Sequence, residues 1–255
     1  MTSTDAAAPH RTRARRLGRS VAYAAVVAVV FFGTGFLLRS KWDPLINADD
    51  AAIRALVPIT RDHPRLLDFW LFWQGAFLPR TLYLIGTALA VWLWLGKGMR
   101  TRAWWAFGTM MFAWFVEFAG KYVFQRARPV VEDPVSKAPG YSFPSGHALG
   151  SAAFFTTLVI LLWPVVRGRG RRAVMVTVAA VCVIVTALDR VFLGVHYPSD
   201  VTVGVITGVG LVLGSYAGYA RWNPRDPDPA HDPDVDPRPD DTDVAGDRSL
   251  SPQES

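Results

Sequence analysis

The chain has 255 residues, 51% of them hydrophobic and 19% charged, below the roughly 25% charged of an average soluble domain. That balance excludes a disordered chain or a collagen-like fibre, and a single cysteine, Cys182, excludes a disulfide scaffold. The net charge of +6 hides two opposed regions: residues 223–255 hold ten acids against three arginines, and the 222 residues before them carry +13. A basic body would suit nucleic acid if it were a soluble surface, but the apolar runs point to a membrane, and no nucleic-acid partner is expected.

Residues 1–19 form a basic N-terminal segment containing Arg11, Arg13, Arg15, Arg16 and Arg19. Six uncharged stretches follow: Ser20–Leu38, Thr81–Gly96, Ala103–Val116, Ala148–Val166, Ala173–Leu188 and Val201–Ala220. Their lengths approach the roughly 20 residues that span a bilayer core. Lipid leaves no partner for open backbone, so such spans are expected to be helices. The first exceeds the roughly 7–15 apolar residues of a signal peptide, and its exit, Leu37-Leu38-Arg39-Ser40-Lys41, lacks a small-x-small cleavage site. It reads as a retained anchor. Trp92, Trp94, Trp104, Trp105 and Trp163 lie towards span ends, as an interfacial aromatic belt would place them.

The expected fold is therefore all-α, an integral membrane six-helix bundle over residues 20–222. The short basic loops GKGMRTR and VRGRGRR sit flush against helix ends, where positive charge marks the cytoplasmic side, so both termini are expected to be cytoplasmic. Residues 41–77 mix charge with apolar runs (IRALVPI, LLDFWLFW) and read as helices on the outer surface. The 223–255 tail, with seven prolines and almost no large apolar residue, is expected to be disordered.

Chemistry concentrates in three runs at predicted membrane boundaries. The first, Lys121 to Pro129, puts Lys121 and Arg128 seven apart at the outer end of the third span, two helical turns that could share a face before Pro129 stops the helix. These cations either reach for the interface or hold an anion. The second, Pro144-Ser145-Gly146-His147, opens the fourth span. It is either an ordinary cap or a helix N-terminus offering amides and a hydroxyl to an oxyanion. In the third, Arg190 to Asp200, His196 is followed four residues later by Asp200. Asp200 is either a cap beside a surface histidine or the acceptor that fixes one imidazole tautomer and leaves the other nitrogen nucleophilic. The topology brings all three runs to one face. Three cations, two histidines, one aspartate and free amides there suit a multiply charged oxyanion, commonly phosphate. No His or carboxylate cluster is left over for a metal, and no cofactor is expected.

In order, spacing and placement, Lys121-x6-Arg128-Pro129, Pro144-Ser145-Gly146-His147 and Arg190-x5-His196-x3-Asp200 resemble the three-part signature of the type 2 phosphatidic acid phosphatase superfamily. The resemblance covers about residues 100–220. It implies a metal-independent lipid phosphate phosphatase of the cell membrane, with its site at the outer face. By that resemblance His196 is the nucleophile, Asp200 its orienting partner and His147 the acid for the leaving group. Lys121, Arg128, Ser145, Gly146 and Arg190 hold the phosphate. The resemblance allows polyprenyl diphosphates, phosphatidic acid, phosphatidylglycerol phosphate or related lipids, and an outer-face site with this basic-loop topology favours undecaprenyl diphosphate, with phosphatidate-type lipids next. One position departs from the family: Asp189 stands where Ser is usual, free either to pair with Arg190 or to face away. Glu117, four residues before Lys121, is placed to orient that ammonium. Three rivals remain: a soluble vanadium haloperoxidase, which would share these motifs but which six long apolar spans argue against, a lipid phosphotransferase using the same site, and a non-catalytic lipid-phosphate binding or transport protein.

Overall fold

The computed structural model describes residues 8–131 and 134–219, with side chains from Leu17 onward. The 223–255 tail lies outside the described residues. Among those described are eight α-helices and no strand: α1 (Ala8–Arg39), α2 (Asp43–Asp62), α3 (Pro64–Ala76), α4 (Pro79–Lys97), α5 (Arg100–Phe124), α6 (Gly146–Leu162), α7 (Arg169–Phe192) and α8 (Pro198–Tyr219). Each of the six apolar stretches lies in a helix over its described length, except that the fourth runs past the end of α6 into a turn at 163–166, and the mixed segment between the first two forms α2 and α3.

Among the described residues, four stretches are long and apolar enough to cross a membrane: Leu17–Arg39, Pro64–Lys97, Arg169–Phe192 and Pro198–Tyr219. The apolar α6, at 17 residues, is shorter, and α5 carries Arg100, Arg102, Glu117 and Lys121. The exterior is apolar, with Val29, Phe36, Leu84 and Leu95 at least 70% exposed. A continuous surface of that kind belongs against lipid rather than water. The chain is a multi-pass membrane protein.

Hydrocarbon supplies no hydrophobic drive between helices, so close backbone approach must bring them together. At the tightest seam, α6 against α8, small residues let the backbones meet. A Cβ added at Gly208 would lie 2.5 Å from the Leu149 carbonyl oxygen and 2.8 Å from Ala152 Cβ, and one at Gly204 would lie 2.9 Å from the Ser145 oxygen. On its other side α8 receives α1, with Gly210 against Val27 and Gly214 against Tyr23. Polar contacts add to this: Trp105 Nε1 donates to Ser215 Oγ at 3.2 Å, and Thr109 Oγ1 lies 3.1 Å from the same hydroxyl.

The two ends of the bundle differ. At one end cations lie over tryptophan rings, Lys97 on Trp92, Arg100 on Trp94 and Arg172 on Trp163, at 4.9–5.6 Å, as interfacial anchors do. The other end gathers the C-termini of α5 and α7 with the N-termini of α6 and α8. The 25 residues of α5 separate the ends by roughly 37 Å at 1.5 Å per residue. Rings of Phe31, Phe124 and Phe143 pack 5.2–5.7 Å apart beneath this second end.

Because Gly208 faces backbone that cannot retreat, Gly208→Val should overpack the α6–α8 seam and cost about 1–3 kcal/mol or more. Gly108, with no atom within 4 Å of an added Cβ, should accept Ala without loss. Thermal melting of the two variants in detergent checks this; equal melting temperatures would contradict the seam.

Candidate active site

Asp200 sits in the first turn of α8 with no exposure. A buried carboxylate needs partners, and it has them. Its Oδ1 accepts from Arg126 Nη1 at 2.6 Å, and its Oδ2 accepts from the Tyr197 backbone N–H at 2.9 Å and from the Ser142 hydroxyl. Its own backbone oxygen accepts from the Ser145 N–H at 3.2 Å.

The His196 ring is buried beside it, with Nδ1 3.6 Å from Asp200 Oδ2 and 3.4 Å from Ser142 Oγ. The direct pair is too long for a hydrogen bond, so Ser142 bridges the two. Ser142 was not singled out in the sequence; its signal was a hydroxyl two residues before Pro144. On the opposite edge Arg128 Nη1 lies 3.1 Å from Nε2. Arginine only donates, so Nε2 is the acceptor and the ring proton belongs on Nδ1. Burial first, then the Arg128 and Lys121 charges, pull His196 from 6.5 down to about 4, against the opposing pull of Asp200. The ring is therefore neutral at physiological pH.

Arg128 is positioned by carbonyls: Nη1 donates to Val195 O at 2.7 Å, Nε to Gly140 O at 3.1 Å and Nη2 to Pro139 O at 3.0 Å. The expected shared helix face with Lys121, ended by Pro129, does not form. α5 stops at Phe124, and Gln125 turns the chain with a φ of 49°. Arg128 therefore reaches the site from an extended loop, while Lys121 stays on the last turn of α5.

Ser145 caps α6, its Oγ accepting from the Ala148 N–H at 3.5 Å, so His147 occupies the helix's first turn. The Nε2 of His147 is buried without a partner, and the charges of Arg190, Lys121 and Arg128 act on its ring. Glu117 pairs with Lys121 at 3.3 Å. It also abuts Gly146 so closely that a Cβ there would overlap the carboxylate. Glycine at this position is a packing requirement.

Arg190 ends α7 beside Asp189, and the two possibilities for Asp189 resolve as a pair: Arg190 Nε donates to Asp189 Oδ2 at 2.6 Å and Nη2 donates to the same oxygen. Nη2 also donates to Gln74 Oε1 of α3 at 3.0 Å. Asp189 has no exposure, and its Oδ1 has no partner.

The end of the bundle thus holds Lys121, Arg128, Arg190, His147 and His196 within one another's electrostatic reach, together with a capped helix N-terminus. Among the described residues, no group of three or more His, Cys, Asp or Glu side chains could hold a metal ion. This arrangement can bind a tetrahedral oxyanion between an uncharged imidazole nitrogen and a second histidine.

Comparison with known proteins agrees with that chemistry. The sequence model of the PAP2 superfamily matches residues 102–224. YbjG of Escherichia coli K12, provisionally named an undecaprenyl-diphosphatase, is 29% identical over 159 residues, 60% of this chain and 74% of its own length. A decaprenylphosphoryl-5-phosphoribose phosphatase of Mycobacterium tuberculosis is 39% identical over 92 residues, 35% of this chain and 45% of its own. The fold is similar to the crystal structure of a transmembrane PAP2-type phosphatidylglycerolphosphate phosphatase from Bacillus subtilis. The TM-score is 0.64 at 21% identity, over 78% of this chain and 98% of that one.

Because His196 resists protonation in the folded state, the unfolded chain takes a proton first as pH falls below 6.5. The stability tied to this group is complete above pH 6.5 and is lost as pH falls towards about 4. Melting temperature against pH should decline less steeply over that window in His196→Ala. Parallel profiles would contradict the buried neutral ring.

Proposed function

Through residues 102–224 the chain belongs to the PAP2 superfamily, and from that premise we propose that this phosphatase hydrolyses a polyprenyl-linked phosphate or diphosphate by way of a phosphohistidine, without a metal. The observation that carries the reading is the His196 ring, protonated on the Nδ1 side facing Ser142 and Asp200 while its Nε2 faces a cation. A neutral imidazole held in one tautomer is an activated nucleophile.

In the first step Nε2 of His196 attacks phosphorus, a P–N bond forms, and the bond to the lipid oxygen breaks. His147 gives that oxygen its proton. Lys121, Arg128 and Arg190, with the Ser145 hydroxyl and the Gly146 amide, stabilise the equatorial oxygens as charge spreads over them. Asp200 offsets the positive charge on the phosphorylated ring. In the second step His147, now neutral, takes a proton from water. The water oxygen attacks phosphorus, the P–N bond breaks, and phosphate leaves with His196 neutral again. Where the substrate is a diphosphate, the first leaving group is the lipid monophosphate.

Six helices, α1 and α4 to α8, would span the bilayer, with the tryptophan-anchored loops and both termini on the cytoplasmic side. The site then opens to the outer face of the cell membrane, where a lipid phosphate can enter from the leaflet. The polyprenyl names of the Escherichia coli and Mycobacterium relatives support that substrate class.

Purified protein in detergent and EDTA should release phosphate from undecaprenyl diphosphate, and His196→Ala should lower the rate at least 10³-fold, the scale for losing a nucleophile. Phosphatidic acid and phosphatidylglycerol phosphate serve as comparison substrates, and faster turnover of either would replace the polyprenyl assignment. Release that persists in His196→Ala would remove the nucleophile. Dependence on an added alcohol would identify a transferase instead.

Asp189 makes a separate expectation. Its carboxylate holds Nε and Nη2 of Arg190, and a phosphate must share the guanidinium with it. Asp189→Ser should lower KM and the inhibition constant of vanadate by roughly tenfold, the worth of one charge-assisted hydrogen bond. Weaker vanadate inhibition would show instead that Asp189 presents Arg190 to the substrate.

A further inference from the structure

Asp49 lies in the middle of α2, outside the 102–224 segment. It shares that helix's buried stripe with Ile53, Val57 and Thr60, and it is 2% exposed. A charge on an apolar stripe is costly unless its oxygens are met. Oδ1 accepts from the Ser199 backbone N–H at 3.0 Å, and Oδ2 accepts from the Ser199 hydroxyl at 2.5 Å and from Arg126 Nη2 at 2.7 Å. The other arm of Arg126, Nη1, reaches Ser199 Oγ at 2.8 Å and Asp200 Oδ1 at 2.6 Å. The guanidinium also lies 3.9 Å over the Tyr197 ring. Arg126 is thereby held along both arms and on one face, between two buried carboxylates.

Two consequences follow for His196. Geometrically, Arg126 has one position, so Asp200 Oδ1 is fixed and Oδ2 is turned towards Ser142 and Nδ1. Electrostatically, Asp49 and Asp200 share the single charge of Arg126, leaving a net negative charge beside the imidazole. With Asp49 neutral, Arg126 and Asp200 would cancel, and Asp200 would do less for a ring that becomes cationic. We propose that Asp49 is a positioning residue: through Arg126 it holds Asp200 so that His196 keeps its proton on Nδ1 and presents Nε2 to phosphorus. The proposal rests on the reading of His196 as nucleophile.

The test is Asp49→Asn, which keeps the shape and one acceptor oxygen but removes the charge. Steady-state kinetics should show kcat reduced roughly 10- to 100-fold, the scale for a misplaced catalytic group, with KM within about twofold. Nitrogen NMR of histidine-labelled protein, assigned through His196→Ala, should find the Nδ1–H tautomer of wild-type His196 replaced by a mixture, and Asp49→Glu should restore part of both signals. An unchanged kcat, or a lower kcat with the tautomer intact, would overturn the proposal and leave Asp49 a structural anchor of α2. If Asp49→Asn does not fold, Ser199→Ala removes the hydroxyl shared by Asp49 and Arg126 and should move both readouts the same way by a smaller factor; no movement would overturn the proposal equally. If wild-type protein releases no phosphate, the nucleophile reading fails, and the tautomer measurement still decides what Asp49 does.

Discussion

Everything at the functional end of this protein is tied to one buried carboxylate, Asp200. Its side chain meets the loop after α5 through Arg126, the loop before α6 through Ser142, and the turn before α8 through the Tyr197 N–H. Its backbone oxygen holds the cap of α6 through the Ser145 N–H. A fully buried charge left short of partners costs several kcal/mol, so this carboxylate fixes both ends of the α5–α6 connection against the turn before α8, far away in sequence. The same constraint orients His196 through Ser142, while Arg128 at Nε2 keeps the ring proton on Nδ1.

A balance of charge runs through the whole site. Lys121 is paired with Glu117, Arg126 with Asp49 and Asp200, and Arg190 with Asp189. Arg128 is instead met by the carbonyl oxygens of Val195, Gly140 and Pro139. Prior pairing keeps these groups ordered and spares the fold a concentration of like charge. It also means that an anion must share Arg190 with Asp189, which already holds its Nε and Nη2. Gln74 of α3 shares Arg190, so the segment between the first two apolar stretches contributes directly to the site.

Much of this was legible in the sequence, since apolar length and helix caps are local properties. Each apolar stretch forms the body of a helix, Ser145 caps α6, and the motif residues from Lys121 to Asp200 gather at one end. The extent of α5 was less legible, because Pro129 is a strong stop signal, whereas Gln125 gives no sign in sequence that it turns the chain first. The span count was also hard to read, because α5 carries charges that serve the site and α6 is a short helix packed tightly on α8. Asp49 and Ser142 were invisible as site residues because their partners lie 150 and 58 positions away. A hint existed at Asp49, an acid in register with Ile53 and Val57 on the buried face of an amphipathic helix. Such a residue needs a partner, but the sequence does not say which.

The central claim is that Nε2 of His196 becomes bonded to phosphorus. The direct measurement is acid-avoiding rapid quench of the purified protein with substrate labelled in the transferred phosphoryl group, followed by peptide mass analysis. An alkali-stable, acid-labile phosphoryl group should appear on the peptide carrying His196 and be lost in His196→Ala. Label on another residue, or phosphate release with no protein-bound phosphoryl group at any time, would contradict it.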